Sequence, residues 1–399
     1  MKKRIVVLGY IVRGPLGGLS WHHLQYVLGL KEIGHEVLFV EDSDDYPSCY
    51  NPETNTVSED PAYGLRFIDD LFRKFDIGQH WSYFDAHKNE WFGRSEKFIM
   101  NFCRKADIVL NLSGVNPWRE WWGKIPSRVF IDTDPAFTQI RNLTDAGYKN
   151  LTSVHNCFFT FGENIGKNIC SIPDDGFNWL PTRQPVYLNA WQISTPQHNS
   201  KWTTVMQWDS YKTGIYNGKE YGMKSASFDK FIKLPGYLPD TKFKLAIGSE
   251  SAPVDRLEKS GWEVISSLIP SKSPWSYQEF IQCSKGEWSV AKEGYVSSNS
   301  GWFSERSLCY MASGKPVVVQ DTGFSNNLET GKGLFAFSTL DEAIEAIKIV
   351  NDNYNFHCLH ARQIVENNFN SENVLRLLIN TISGIYSESL SFKREIFNL

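Results

Sequence analysis

Short apolar runs, each closed by a glycine or a polar residue, alternate along the chain with stretches in which apolar residues recur every three or four positions. Arg4-Ile5-Val6-Val7-Leu8 is the first run, and Gly9 ends it. After the loop Gly14-Pro15-Leu16-Gly17-Gly18, Ser20 stands where an N-cap would open a helix through His22, His23, Leu24, Tyr26, Val27 and Leu30. Gly34-His35 then turns the chain into Glu36 to Val40. Strand, helix and strand within roughly 30 residues form the building block of a parallel sheet.

The rhythm continues. Ala106 to Leu112 is closed by Ser113-Gly114, Ser127 to Ile131 by Asp132-Thr133-Asp134-Pro135, and Cys157 to Phe161 by Gly162-Glu163-Asn164. Polar residues at strand exits line the face where open parallel sheets bind ligands. Pro173 to Pro185 is proline-containing and weakly periodic, which predicts an inter-domain connection, with the second half under way by Trp191. Thr203 to Trp208, Phe243 to Ile247, Trp262 to Ile265 and Val317 to Val319 predict its strands. Trp275 to Ile281, 341–350 and 374–385 predict helices. Pro270 and Pro274 restrict the loop between them.

Size and charge narrow the picture. With 399 residues, 41% of them apolar, the chain exceeds the length at which one core keeps growing, so two domains are expected. The pattern divides it at 1–185 and 186–370, with a helical segment 371–399. Its 41 basic and 45 acidic residues give a formal charge of -4, which supplies no global attraction for nucleic acid or anionic lipid. No nucleic-acid partner is therefore expected. Ile5 to Tyr10 is too short to span a bilayer and lacks a small-residue cleavage site, so a cytoplasmic location is expected. Seven scattered cysteines read as free thiols.

Candidate chemistry clusters at the predicted loops. Gly17-Gly18 allows a backbone approach that side chains would block, as a donor-closing loop or a plain turn. Glu41, Asp42, Asp44 and Asp45 follow the second strand, where a dinucleotide fold would place a ribose ligand, but the glycine spacing does not fit that fingerprint. Asp132 and Asp134 suit a divalent ion, a polar cleft or a turn. His22, His23 and His155 ordinarily titrate near neutrality and are proton-transfer candidates, with a packed or surface imidazole as the alternative for each; neighbours on a helix point about 100° apart, so at most one of the first two faces a cleft. Lys212, Lys219 and Lys224 lie in a glycine-bearing loop, and Lys224 precedes a helix entrance, where a pyrophosphate would settle. Ser304 opens a helix that Gly314 stops, with Glu305 in its first turn placed for ribose hydroxyls or for capping.

The segment Tyr310-Met311-Ala312-Ser313-Gly314-Lys315-Pro316-Val317-Val318, followed by Gly323 and by Gly331-Lys332-Gly333-Leu334-Phe335, resembles nucleotide-sugar glycosyltransferases of the GT-B type. The resemblance is to the retaining glycosyltransferase family 4, which includes glycogen and sucrose synthase-like enzymes. It implies an α/β fold of two Rossmann-like domains with parallel sheets facing a central cleft, and a last helix that returns to brace the first domain. It implies transfer of a sugar, with UDP-hexose as donor, to a saccharide or polar natural-product acceptor in polysaccharide or glycoconjugate biosynthesis. No tightly bound cofactor or divalent metal is expected, and a lipid-linked acceptor would bring the protein to the inner face of a membrane. On this reading His22, Asp134 and Lys224 are catalytic; Gly17, Gly18, Lys212, Lys224, Ser304 and Glu305 bind the donor; His23, Asp132 and His155 bind the acceptor. The chain departs from the family at two glutamates eight positions apart, whose places hold Gly301 and Cys309. That departure keeps a nucleotide-sugar epimerase and a catalytically inactive carbohydrate-binding or assembly protein as alternatives.

Overall fold

A computed structural model describes residues 2–195 and 199–397 and contains two large sheets that share one inter-lobe core. The first is built from β1 (Arg4–Leu8), β2 (Glu36–Asp42), β3 (Trp81–Asp85), β4 (Glu90–Gly93), β5 (Ile108–Leu112), β6 (Ser127–Asp132), β7 (Cys157–Thr160) and β8 (Trp179–Pro181), in the order β8-β7-β6-β5-β1-β2-β3-β4. All pairings are parallel except β3 with the edge strand β4. Val6 of β1 is in register with Leu38 on one side and Val109 on the other, so its apolar run is buried on both faces. The second sheet comprises β9 (Trp202–Met206), β10 (Phe243–Ile247), β11 (Glu263–Ser266), β12 (Gly286–Ser289), β13 (Val317–Gln320) and β14 (Leu334–Phe337), all parallel, in the order β11-β10-β9-β12-β13-β14. This is the GT-B architecture of two Rossmann-like domains.

Four helices position the site: α1 (Gly17–Glu32), α2 (Pro274–Cys283), α3 (Glu305–Ala312) and α4 (Ser371–Phe397). One apolar cluster runs from Ile5 and Val7 through Trp21 and Trp191 to Tyr277, Leu308 and Val317, so the interface between the lobes is itself core. α4 packs back on α1 at Gly29, where a Cβ would come within 2.7 Å of both Ser371 and Leu375. No helix among the described residues is long and apolar enough to cross a membrane.

Three elements differ from the sequence expectation. Pro173 to Pro185 is more than a connection, because Trp179–Pro181 adds β8 to the edge of the first sheet, where a proline at the strand end leaves no ladder bond missing inside the sheet. α1 starts at Gly17, before Ser20, whose hydroxyl donates to Leu16 O at 2.8 Å within the helix. The hairpin β3–β4 went unpredicted; its strands pair the aromatic residues Tyr83 with Phe92 and Phe84 with Trp91.

Candidate functional site

β9, β10 and β11 end at Met206, Ile247 and Ser266, and the residues at and just beyond these ends border a cleft of about 660 Å³ between the lobes. A crevice outside the carboxyl ends of parallel strands is the usual ligand position in such sheets. Two helices begin on it. α1 has Leu16 as its N-cap with no side chain capping it, and Gly18, Leu19 and His22 border the cleft. From the opposite wall α3 presents Glu305, Arg306 and Cys309. Amides left without intrahelical partners, together with aligned peptide dipoles, make such helix starts favourable for an anion.

Cations gather beside α3. Arg306 is buried and fully engaged: Nε donates to Glu287 Oε1 at 2.5 Å, Nη1 to Val205 O at 2.9 Å and Nη2 to Ser289 Oγ at 3.0 Å. Lys292 reaches across the lobes to Asp134 Oδ1 at 2.8 Å, its ammonium 4.8, 4.3 and 5.2 Å from the rings of Phe137, Tyr211 and Tyr295. The hydroxyls of Tyr211 and Tyr295 also donate to Asp134. Burial works to raise the Asp134 carboxyl, but Lys292 and the two phenols outweigh it and leave it below its ordinary value. Lys224 forms no ion pair among the described residues. Burial first, then the neighbouring charges of Arg306 and Lys292, push its ammonium well below the usual lysine range.

The predicted residues divide sharply. His22 borders the cleft at 7% exposure, and burial lowers its pKa against the opposing pulls of Glu305 and of the Gln184 side chain beside it. His23 faces inward: Nδ1 donates to Leu19 O at 2.7 Å and Nε2 accepts from the Tyr10 amide at 3.3 Å, which selects one neutral tautomer. His155 is bonded at both nitrogens, to Thr152 O at 3.0 Å and Asn111 Nδ2 at 3.2 Å, and burial holds its pKa down to about 4. Asp132 is fully buried and accepts from Thr138 Oγ1 at 2.6 Å, Thr160 Oγ1 at 2.7 Å, Gln139 Nε2 at 3.1 Å and the Asp134 amide at 2.9 Å. Instead of facing an acceptor, His23, Asp132 and His155 tie the first lobe together.

Asp134 is an inter-lobe clasp, and because its carboxylate and that of Asp132 belong to separate networks they do not converge on a common ion. Among the described residues no three His, Cys, Asp or Glu side chains are grouped to hold a metal. Gly17 is buried beneath α2, where a Cβ would lie 2.3 Å from Ser273 O, so its role is to let the lobes approach; Gly18 borders the cleft. Ser304 is the N-cap of α3, accepting from the Arg306 amide at 3.3 Å. Lys212 is exposed and lies off the cleft.

Two organising residues have roles that the sequence does not signal, although Glu41 follows the predicted second strand and Asn164 stands at a predicted strand exit. Glu41, fully buried, accepts the amides of Ile11, Val12 and Arg13 at 2.6, 2.7 and 2.6 Å and so shapes the loop before α1. This occupation removes the ribose role that a dinucleotide fold would give an acidic residue there. Asn164 of the first lobe donates from Nδ2 to Asn299 O at 3.1 Å and Gly323 O at 3.0 Å in the second. Gly301 has φ +77°, and a Cβ on it would lie 2.8 Å from Asn164 Cγ. Asn164 thus fills the space of any side chain at the place where the resembling family has its first glutamate.

No protein-family model and no curated protein matches the sequence. Solved structures share the fold. An α-glucosyltransferase in complex with UDP-glucose and DNA containing an abasic site is similar with a TM-score of 0.61 at 10% identity, over 96% of this chain and 100% of that one. A glycosyltransferase involved in avilamycin A biosynthesis gives 0.51 at 11% over 96% and 98%, and sucrose-phosphate synthase from Thermosynechococcus elongatus gives 0.50 at 10% over 99% and 100%. The expectation of no nucleic-acid partner does not stand, because several structures with this fold hold DNA. A formal charge summed over the whole chain says nothing about the potential at one cleft.

Proposed function

We propose that the protein is a glycosyltransferase that moves a sugar, with UDP-hexose as donor, to a hydroxyl-bearing acceptor. The observation that carries this reading is the uncapped start of α1 facing Glu305 and Arg306 across one cleft, with Lys224 close to Glu305 and in no ion pair among the described residues. Fixed amides and cations there stabilise the charge that grows on the departing nucleoside diphosphate. His22 brings an imidazole of the first lobe to the cleft wall beside Glu305.

We assign retention of anomeric configuration: the bond from the anomeric carbon to the phosphate oxygen breaks, the acceptor oxygen bonds to the same face, and its proton passes to the leaving phosphate. Asp134, bound to Lys292 and two phenols, is not free to serve as a base. The short hairpin of Cys49–Asn51 and Thr56–Ser58 brings Tyr50 to the cleft, with Asn55 from its turn, on the acceptor side. Acceptors to test are saccharides, polar natural products and, from likeness to the DNA-bound structures, hydroxyls on nucleic acid.

The test is a panel of UDP-, GDP- and ADP-sugars with product detection, and NMR of the new linkage. An inverted product would overturn retention, sugar interconversion without acceptor would indicate an epimerase, and binding without reaction an inactive protein. Lys224→Ala lowers UDP affinity by about tenfold or more with the fold intact; unchanged affinity removes Lys224 from the site.

A further inference from the structure

Tyr10 stands two residues beyond the end of β1, a central strand of the first sheet, on the side where open parallel sheets present ligand-binding groups. Its ring is held from two sides. The His23 imidazole meets it edge on, with ring centroids 4.9 Å apart and planes at 73°, and the Tyr10 amide donates to His23 Nε2 at 3.3 Å. At Gly14 a Cβ would come within 3.3 Å of Tyr10 Cδ2, so the loop before α1 folds close against the ring.

The hydroxyl end is left open. Tyr10 is half-buried, and its hydroxyl is neither enclosed nor hydrogen-bonded among the described residues. The charged groups that act on it come from both lobes: Glu305 at the start of α3 foremost, then Arg13, Asp134 and Glu41 of the first lobe. Burial, and after it Glu305, push the phenol up to about 12, so it keeps its proton at neutral pH. The neighbouring phenols of Tyr211 and Tyr295 spend their protons on Asp134, whereas that of Tyr10 is uncommitted.

That balance selects a ligand. Three carboxylates against one guanidinium make this corner unfavourable for a second anion, and a protonated phenol is a neutral donor suited to a hydroxyl or ether oxygen. Glu305 also borders the cleft on which α1 and α3 begin, so the corner adjoins the place assigned to the diphosphate. The group joined to a diphosphate that is both neutral and rich in hydroxyls is the sugar.

We propose that Tyr10 is a sugar-binding residue of the donor site, its hydroxyl donating a hydrogen bond to the hexose carried on the nucleoside diphosphate. The inference rests on the donor-site reading above and names the group of the first lobe that touches the transferred sugar.

Calorimetric titration of the full chain and of Tyr10→Phe with UDP, UDP-glucose and UDP-galactose tests it. The variant keeps the ring and its packing and loses one hydroxyl. Its affinity for UDP stays within about twofold of the native value, while its affinity for the UDP-hexose that the native chain prefers falls by about threefold or more, one neutral hydrogen bond corresponding to about fivefold. A folded variant that binds UDP and the UDP-hexose as the native chain does, or weakens both alike, overturns the proposal. If the native chain binds none of the three, the donor-site reading itself fails and takes this inference with it; if it binds UDP and neither UDP-hexose, the hexose contact is overturned while the nucleotide site stands. Should Tyr10→Phe not fold, a crystal structure of the native chain with the 2-fluoro analogue of the preferred UDP-hexose decides: Tyr10 Oη lies within about 3.2 Å of a sugar oxygen, and a sugar beyond that reach rejects the assignment.

Discussion

In the first lobe Glu41, His23, Asp132 and His155 are buried with bonded polar atoms, whereas in the second Glu305 borders the cleft and Lys224 lies near it without lining it, neither side chain in a hydrogen bond or ion pair among the described residues. Both sets mix acidic and basic side chains, and residue type alone does not separate them. The separation comes from neighbours. A buried ionisable group is tolerated when backbone and side chains satisfy it, and the same group left open carries a desolvation cost that a ligand of opposite charge relieves. The first lobe is therefore a sealed wall, and the second holds the charge chemistry.

The comparison breaks if changes in the wall alter donor affinity as much as stability. Glu41→Ala strands three loop amides and the nearby Arg13, and is expected to lower stability by about 3–5 kcal/mol in urea denaturation. Next, His155 has a folded pKa of about 4 against an ordinary 6.5, so its contribution is fully present above pH 6.5 and is lost as pH falls toward 4, by about 3 kcal/mol. His22 and His23, also lowered, act in the same direction. Denaturation midpoints between those pH values should fall steeply for the native chain and less so for His155→Phe.

Smaller effects sharpen the contrast at the contacts between lobes. Asn164→Ala removes two bonds to the backbone around Gly301 and Gly323 and is expected to cost about 1–3 kcal/mol, read by thermal melting, with donor affinity falling as the α3 loop loosens. Asp134→Asn takes away the Lys292 ion pair at a carboxylate 29% exposed, and is expected to cost at most about 1 kcal/mol. Because the Asp134 carboxyl is lowered in the folded state, its share of stability is present above the ordinary carboxylate range and lost as pH falls through the lowered value. Stability of Asp134→Asn converging with that of the native chain at acid pH would confirm the sign.

The β-strand and helix succession was legible because it rests on local periodicity: Ile5 to Leu8 and Val317 to Val319 are apolar runs too short for helices, and Gly314 ends α3 with φ +72°. Glu305 and His22 were legible as candidates for a cleft because each sits near the start of a helix that follows a loop. Trp179–Pro181 was hidden by its prolines. Asn164 and Glu41 were hidden for a different reason, since each is defined by partners more than 25 positions away.

From sequence alone came the architecture, the glycine-bearing loop before α1, and the replacement of two expected glutamates by Gly301 and Cys309. These depend on residue type, order and short-range pattern. Which histidine faces ligand, which carboxylate is an inter-lobe clasp, and why glycine occupies position 301 were decided only when the lobes met, because burial and pairing are properties of the assembled chain. Asn164 pressing on Gly301 and Lys292 held by Asp134 join residues 137 and 158 positions apart, and no local pattern encodes such a contact.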